Sequence, residues 1–309
     1  MLYSKWLEEW FDNYIRPTAK TKTYVCYKSI INNHIIGNLG NYELSDITAL
    51  IIQKTITELL NKGNKKTGRG LSSNTVNLII TIIQSSLEMA ATLGLVKQYT
   101  GNKVKRPKIK ERKVVSFSTI EQKQIETFIL KNKKKQMFGI LLCLYTGLRI
   151  GELLALEWSD IDFKKQELDV SKSCCDGINK AGTFGRIINS PKTETSERII
   201  PLAKQLIPYL KEVKKKSNSN YVVANGSNPI SVRSYQRSFE LLLRKLNIPH
   251  KGFHALRHTF ATRAIENGMD VKSLSEILGH KNPSITLSRY AHSFMDHKKS
   301  MINKLGANL

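Results

Sequence analysis

Apolar residues recur at helical spacing from Leu2 to about Val96, in blocks separated by Arg16-Pro17, by Gly37 to Gly40 and by the polar stretch Asn61 to Gly70. The pattern predicts a small all-helical domain. Its last block, NTVNLIITIIQSSLEMAATLGL, follows Ser72-Ser73 as a candidate N-cap, stops at Gly94 and reads as the central helix. From Val104 to Ser116 the periodicity lapses: VKRPKIKERKVVS carries a proline and six basic residues against one acidic residue, and reads as an interdomain linker. Beyond it, Ser118 and Glu121 form a capping box at the start of STIEQKQIETFIL, and a strongly apolar helix, MFGILLCLYTG, ends at Gly147. QELDVSKS, GRIINS and ERIIPL read as three short strands, with Pro191 to Ser196 as the turn between the last two. After Ser231 helical spacing returns in SVRSYQRSFELLLRKL, HALRHTFATRAIENG, DVKSLSEILG and SITLSRYAH. Gly268 and Gly279 are placed as stops there, and Asp270 and Ser284 as N-caps. The expected architecture is therefore mainly α with a small antiparallel β-sheet: a helical domain over 1–103, a basic linker over 104–116, and an α+β domain with a helical tail over 117–309.

Composition narrows the choice of partner. The chain has 309 residues, 40% hydrophobic, which suffices for two packed cores. Against 25 acidic residues stand 49 basic ones, a net charge of +24, so a polyanion or an acidic membrane surface is the expected partner, with nucleic acid the first choice. No apolar run approaches the roughly 20 residues that span a bilayer, and MLYSKWLEEWFDNYI lacks the basic-then-apolar order of a signal peptide, so the expected location is the cytoplasm. Cys26, Cys143, Cys174 and Cys175 form no CxxC pair and no metal-ligand spacing, and reduced thiols are expected.

Chemistry enters with His254 and Arg257 in HALRH, three apart near a predicted helix start and able to project from one face. His280 follows a helix stop in LGH, and Tyr290 lies on a short helix ten residues further on. Arg149 follows the Gly147 stop at a helix-to-helix junction, and Lys192 sits in the strand turn SPKTETS. Transfer of a phosphodiester to a protein hydroxyl needs a nucleophile, cations for the non-bridging oxygens and an acid for the departing oxygen. Arg149 and Arg257 suit the cationic task, because a planar guanidinium donates two parallel hydrogen bonds to phosphate oxygens. His258, four residues after His254, is expected to be structural: HALRH lacks the glutamate of H-E-x-x-H, and no third zinc ligand is evident.

The order Arg149, Lys192, His254-x-x-Arg257, His280, Tyr290 resembles the active site of the tyrosine recombinase (phage integrase) family. The likeness is met at TGLRIGELLALEW, SPKTETSERIIPL, HALRHTFAT, LGH and RYAH, and covers almost the whole chain. It implies a helical core-binding domain and an α+β catalytic domain that clamp double-stranded DNA. By the same resemblance Tyr290 would form a 3′-phosphotyrosyl link and release a 5′-hydroxyl, with no metal and no nucleotide cofactor. Lys192 would protonate the leaving oxygen, His254 would assist proton transfer at the tyrosine, His280 would hydrogen-bond the phosphate, and Glu152 would brace the site from behind. A homo-tetramer on paired DNA sites with exchange of C-terminal tails is implied too, as are accessory DNA-bending proteins and a nucleoid location when DNA is bound. Many integrases of mobile elements carry a further N-terminal arm-binding domain, whereas here the core-binding block starts at about Leu2. The expectation is either a two-domain recombinase or a piece of a longer one.

Three other readings compete. A DNA-binding regulator of the same fold without chemistry is opposed by an intact Tyr290 and both arginines. A DNA-relaxing topoisomerase would use the same tyrosine chemistry without fixed sites. A metal-dependent nuclease would need a cluster of carboxylates, which the sequence does not present.

Overall fold

The computed structural model describes residues 1–309 except 20, 98–102, 110–113, 133, 179–183, 190–196, 281, 285, 288–289, 291–298, 300–301, 304–305 and 307–309. The chain divides into two compact units, Met1–Arg112 and Lys113–Leu309.

The first unit is helical. Its centre is α5 (Ser73–Thr92), capped by the Ser72 hydroxyl accepting from the Thr75 N–H, with Val76, Ile79, Ile80, Ile82, Ile83 and Leu87 buried. Around it pack α1 (Tyr3–Trp10), α2 (Thr21–Ile30), α3 (Ile36–Leu39) and α4 (Ala49–Lys62). Trp6 and Tyr3 of α1 also reach α5 through polar atoms: the Trp6 indole donates to the Ser86 carbonyl at 2.9 Å, and the Tyr3 and Ser86 hydroxyls pair at 2.7 Å. The break expected over Gly37 to Gly40 falls at its far end, at Gly40. A wide helical turn, Ile31–Ile35, carries α2 straight into α3, and its buried Ile31 and Ile35 hold the run together across the glycine. The start of the segment read as a linker lies on this unit. Val104 is buried in its core, Asn77 donates to the Pro107 carbonyl at 3.0 Å, and the Arg106 guanidinium donates to Thr81 and Gln84. One apolar residue and one arginine with several acceptors in reach are enough to fix that strip of backbone.

The second unit is mainly helical with small antiparallel sheets, as the sequence predicts. It opens with the Ser118–Glu121 capping box, in which the Ser118 N–H donates to the Glu121 carboxylate at 2.7 Å and the Glu121 N–H donates to the Ser118 hydroxyl at 3.2 Å. There follow α6 (Thr119–Asn132), α7 (Phe138–Thr146) and α8 (Ile150–Ala155), and after the strands α9 (Ile207–Lys215), α10 (Val232–Lys245), α11 (His254–Glu266) and α12 (Val271–Leu278). The apolar run of α7 is buried almost throughout and packs against α11.

The sheet is more divided than three strands. β1 (Ile161–Asp162), β2 (Glu167–Val170) and β5 (Arg198–Pro201) form one antiparallel sheet in the order β1-β2-β5. β3 (Ser173–Ile178) and β4 (Phe184–Asn189) form a separate hairpin, and β6 (Ala224–Asn225) pairs with β7 (Asn228–Pro229). The run read as one strand, QELDVSKS, is thus the central strand of one sheet followed by the first residue of another. The third strand, β5, pairs with β2, in the register Leu168 to Ile200. The proposed turn from Pro191 to Ser196 lies outside the described residues. Among the described residues no helix is long and apolar enough to cross a membrane.

Candidate active site

Two glycines set the frame of the site. Gly147 ends α7 and Gly279 ends α12, each in the left-handed region at φ +67° and φ +62°, which an L side chain rarely adopts. Helix ends leave carbonyls without a helical partner, and the C-terminal end carries the negative pole of the helix dipole. Three arginines use those carbonyls as anchors. Arg257 donates from Nη1 to the Gly147 carbonyl at 2.8 Å and from Nη2 to the Leu278 carbonyl. Arg149 donates from Nη2 to the Gly279 carbonyl at 3.1 Å, and Arg198 donates from Nε to the Ile277 carbonyl.

Glu152 ties two of these cations together. It sits in the first turn of α8, where its Oε2 accepts from the Arg149 N–H at 2.8 Å, and its Oε1 accepts from Arg149 Nη1 at 2.7 Å. Arg198 of β5 donates to both carboxylate oxygens, at 3.2 and 2.9 Å. The Glu152 and Arg198 side chains are each only 6% exposed, whereas that of Arg149 is 36% exposed. Burial by itself would raise the Glu152 carboxyl, but the hydrogen bonds and charge of Arg198, followed by the charge and backbone N–H of Arg149, overcome it and hold the group at about 2. Arg257, 2% exposed, is pushed the other way: burial first, then the Arg149 cation, bring it down to about 9, so it remains a cation at neutral pH. Among the described residues, two guanidinium groups bond this carboxylate and a third, Arg257, feels its charge, and this excess of positive charge is the condition for holding an anion.

His280 lies on the same cluster. Its Nε2 is 3.0 Å from Arg257 Nη2 and its Nδ1 is 2.8 Å from the buried Thr286 hydroxyl. A guanidinium can only donate, so Nε2 accepts from Arg257, and the neutral ring carries its proton on Nδ1, donated to Thr286. The segment that follows begins at Asn282, whose side chain accepts from the Ser284 N–H at 2.9 Å; Pro283 and Ser284 already have helical backbone. Asn282 therefore caps this turn, a position the sequence reading gave to Ser284. A proline in the first turn lacks the N–H that would need a cap.

Tyr290, 3% exposed, packs against Ala261, Ile265, Leu274 and Leu278 of α11 and α12, close enough to Arg257 to bear on its charge. Its hydroxyl is 2.6 Å from His258 Nδ1. The His258 ring in turn meets His254 edge to face, with centroids 4.6 Å apart, and His254 itself is exposed at the start of α11.

The structure thus brings Arg149, Glu152, Arg257, His280 and Tyr290 together, with His254 adjoining through His258. Lys192 lies outside the described residues. Of the other lysines flanking the strands, Lys172 is held by Glu157 at 2.7 Å and Asp160 at 3.1 Å; burial works against its charge, but these carboxylates raise its pKa. Two residues of the cluster escaped the sequence reading. Arg198 opens a strand in ERIIPL and carries no motif; the one available signal was a charged residue at a position whose neighbours alternate inward. His258, read as structural, stands on the Tyr290 hydroxyl.

Comparison with known proteins places this geometry. The chain matches the phage integrase family over residues 118–297 and the phage integrase N-terminal SAM-like domain over residues 2–60. It is 31% identical to a XerC-like tyrosine recombinase of Caldanaerobacter subterraneus, across 97% of this chain and 81% of that protein. To the ICEBs1 integrase of Bacillus subtilis it is 27% identical, across 93% of this chain and 78% of that one. Among solved structures, the Tn1549 transposon integrase in complex with a circular intermediate DNA shares the fold with a TM-score of 0.81 at 22% identity, 99% of each chain being covered. The lambda integrase tetramer bound to a Holliday junction gives 0.69 at 20%, covering 92% of this chain and 78% of that one. The chain belongs to the phage integrase family of tyrosine recombinases. It is accordingly a site-specific DNA recombinase, an enzyme that breaks and rejoins DNA strands.

Proposed function

We propose that this recombinase cleaves double-stranded DNA with Tyr290, forming a 3′-phosphotyrosyl link and releasing a 5′-hydroxyl, and that it serves the integration or excision of a mobile element. The carrying observation is Tyr290 beside Arg257, which belongs to a cluster of three arginines anchored on helix-terminal carbonyls. The Tyr290 oxygen attacks phosphorus, the bond to the 5′-oxygen breaks, and the energy of the phosphodiester is kept in the new ester. That is why rejoining by the reverse step needs no nucleotide cofactor.

Arg257 and Arg149 hold the non-bridging oxygens, where charge accumulates in the transition state. Arg257 is fully buried and fixed at three points, and Arg149 presents the more exposed guanidinium to the incoming backbone. Glu152, pinned between Arg149 and Arg198, sets the direction of the Arg149 fork. His280 holds one edge of Arg257 and stands to hydrogen-bond the phosphate, Lys192 gives a proton to the 5′-oxygen, and His254 assists proton movement at the tyrosine. The unit Met1–Arg112 takes the core-binding role and the unit Lys113–Leu309 the catalytic role. The excess of basic residues supplies the phosphate contacts along the duplex. The working unit is a homo-tetramer on paired sites with exchanged C-terminal tails, aided by DNA-bending proteins, in the cytoplasm and on the nucleoid when DNA is bound.

The polarity of the link tests this reading. On a nicked duplex carrying a recombination site, labelled in turn at each end of the cleaved strand, the label retained on the protein should be that of the fragment whose 3′ end was made by cleavage. The other fragment should be open to phosphorylation by a kinase without prior phosphatase treatment. A protein-linked 5′ end would overturn the proposal, and binding without any adduct would favour the silent regulator.

A further inference from the structure

His258 is the residue of the cluster to which neither the motif order nor the charge argument assigns a task. It follows Arg257 directly on α11, so its ring leaves the helix about 100° away from the guanidinium. While Arg257 turns to the carbonyls of Gly147 and Leu278, His258 places Nδ1 2.6 Å from the Tyr290 hydroxyl. That is within the 2.6–3.2 Å range over which a general base takes a proton from the group it serves. Tyr290 is 3% exposed and packs against aliphatic side chains of α11 and α12.

We infer that His258 is a catalytic residue, the immediate acceptor of the Tyr290 proton during strand cleavage. The inference rests on Tyr290 being the nucleophile. With His258 neutral, the phenol donates to Nδ1. As the Tyr290 oxygen forms its bond to phosphorus, the proton passes to Nδ1, the ring becomes an imidazolium, and the bond to the 5′-oxygen breaks with that oxygen protonated separately by the acid on the other side. In rejoining, the same imidazolium returns the proton to the departing phenolate. His254, edge-on at 4.6 Å, stands on the exposed side of His258 and links it to solvent. The titratable and charged groups of this cup, among the described residues, are His254 on the same helix, Tyr290 and His280 on the C-terminal segment, Arg149 and Glu152 on α8 and its cap, Arg198 on β5, and Arg257.

The base role has a kinetic signature that a packing role lacks. An imidazole loses its proton near pH 6.5 and a phenol near pH 10, so an imidazole-assisted attack rises through the lower value and levels, whereas an unassisted one keeps rising towards the higher. The test uses a duplex with sulfur in place of the bridging 5′-oxygen, a leaving group that needs no acid and so removes Lys192 from the rate. His258→Asn sets an amide oxygen near the place of Nδ1: it can hold the phenol but cannot take its proton. Wild type should show a plateau above neutral pH. His258→Asn should bind the duplex as well, cleave about 100-fold more slowly at neutral pH, and approach the wild-type rate as the pH climbs. A variant with the wild-type rate and profile would overturn this inference while leaving Tyr290 in place; a wild type without adduct would overturn both. Should the variant fold poorly, the wild type answers through its ¹⁵N-histidine spectrum. Tyr290→Phe should move the His258 Nδ1 resonance, and an unmoved resonance refutes the contact.

Discussion

Arg257→Lys is expected to lower the rate of single-turnover cleavage by about 10³-fold at neutral pH while leaving the affinity for DNA within a few-fold of wild type. The guanidinium of Arg257 occupies three directions at once, towards the Gly147 carbonyl, the Leu278 carbonyl and His280 Nε2. An ammonium on a flexible stem cannot span them, and the fork that fits two phosphate oxygens is lost with the geometry. Affinity survives because it is the sum of many phosphate contacts spread over a strongly basic chain. Rapid-quench kinetics alongside a binding titration separates the two quantities. A lysine variant that cleaves at the wild-type rate would remove Arg257 from the transition state.

Glu152→Gln should cost about 3–5 kcal/mol of folding stability and most of the cleavage activity, although Glu152 is 6% exposed and touches no substrate in this account. Its loss leaves Arg198 as a buried cation without its counter-charge and frees the Arg149 fork to rotate. The same pair makes stability depend on pH. The folded-state carboxyl is depressed to about 2, so its contribution is fully present above the ordinary glutamate range and drains away as the pH falls from about 5 towards 2. The shift corresponds to about 3 kcal/mol. Urea unfolding across that window should show the wild type losing this increment and the glutamine variant lacking it from the start. Equal stability of the two proteins at neutral pH would contradict the role given to the pair.

The parts of this molecule that the sequence announces are those governed by local rules. The Ser118–Glu121 box, the Ser72 and Asp270 caps and the left-handed glycines 147 and 279 fall where cap chemistry puts them. The break over Gly37 to Gly40 comes at Gly40 and not at Gly37, because Ile31 and Ile35 are held by tertiary packing, which outweighs the modest cost of one glycine in a helix. The strands were misjudged because a run of β-favouring residues does not say which partner each half takes: β2 goes to β5, while β3 turns back on β4. For the site, Arg149, Glu152, His254, Arg257, His280 and Tyr290 were legible as an ordered set. Arg198 was not, because its meaning lies in a buried carboxylate 46 residues away in sequence. The contact of His258 with Tyr290 was not legible, because adjacency to Arg257 says nothing about which wall of the cup its ring faces.

The central claim is that Tyr290 becomes covalently joined to DNA. Wild type and Tyr290→Phe, each incubated in EDTA with a nicked suicide duplex bearing a recombination site, are to be compared on a denaturing gel. A slow-migrating protein–DNA adduct from wild type alone, resistant to boiling in detergent and removed by protease, is the predicted result. An adduct of equal yield from the phenylalanine protein would show that another residue attacks the phosphate, and would contradict the account at its root.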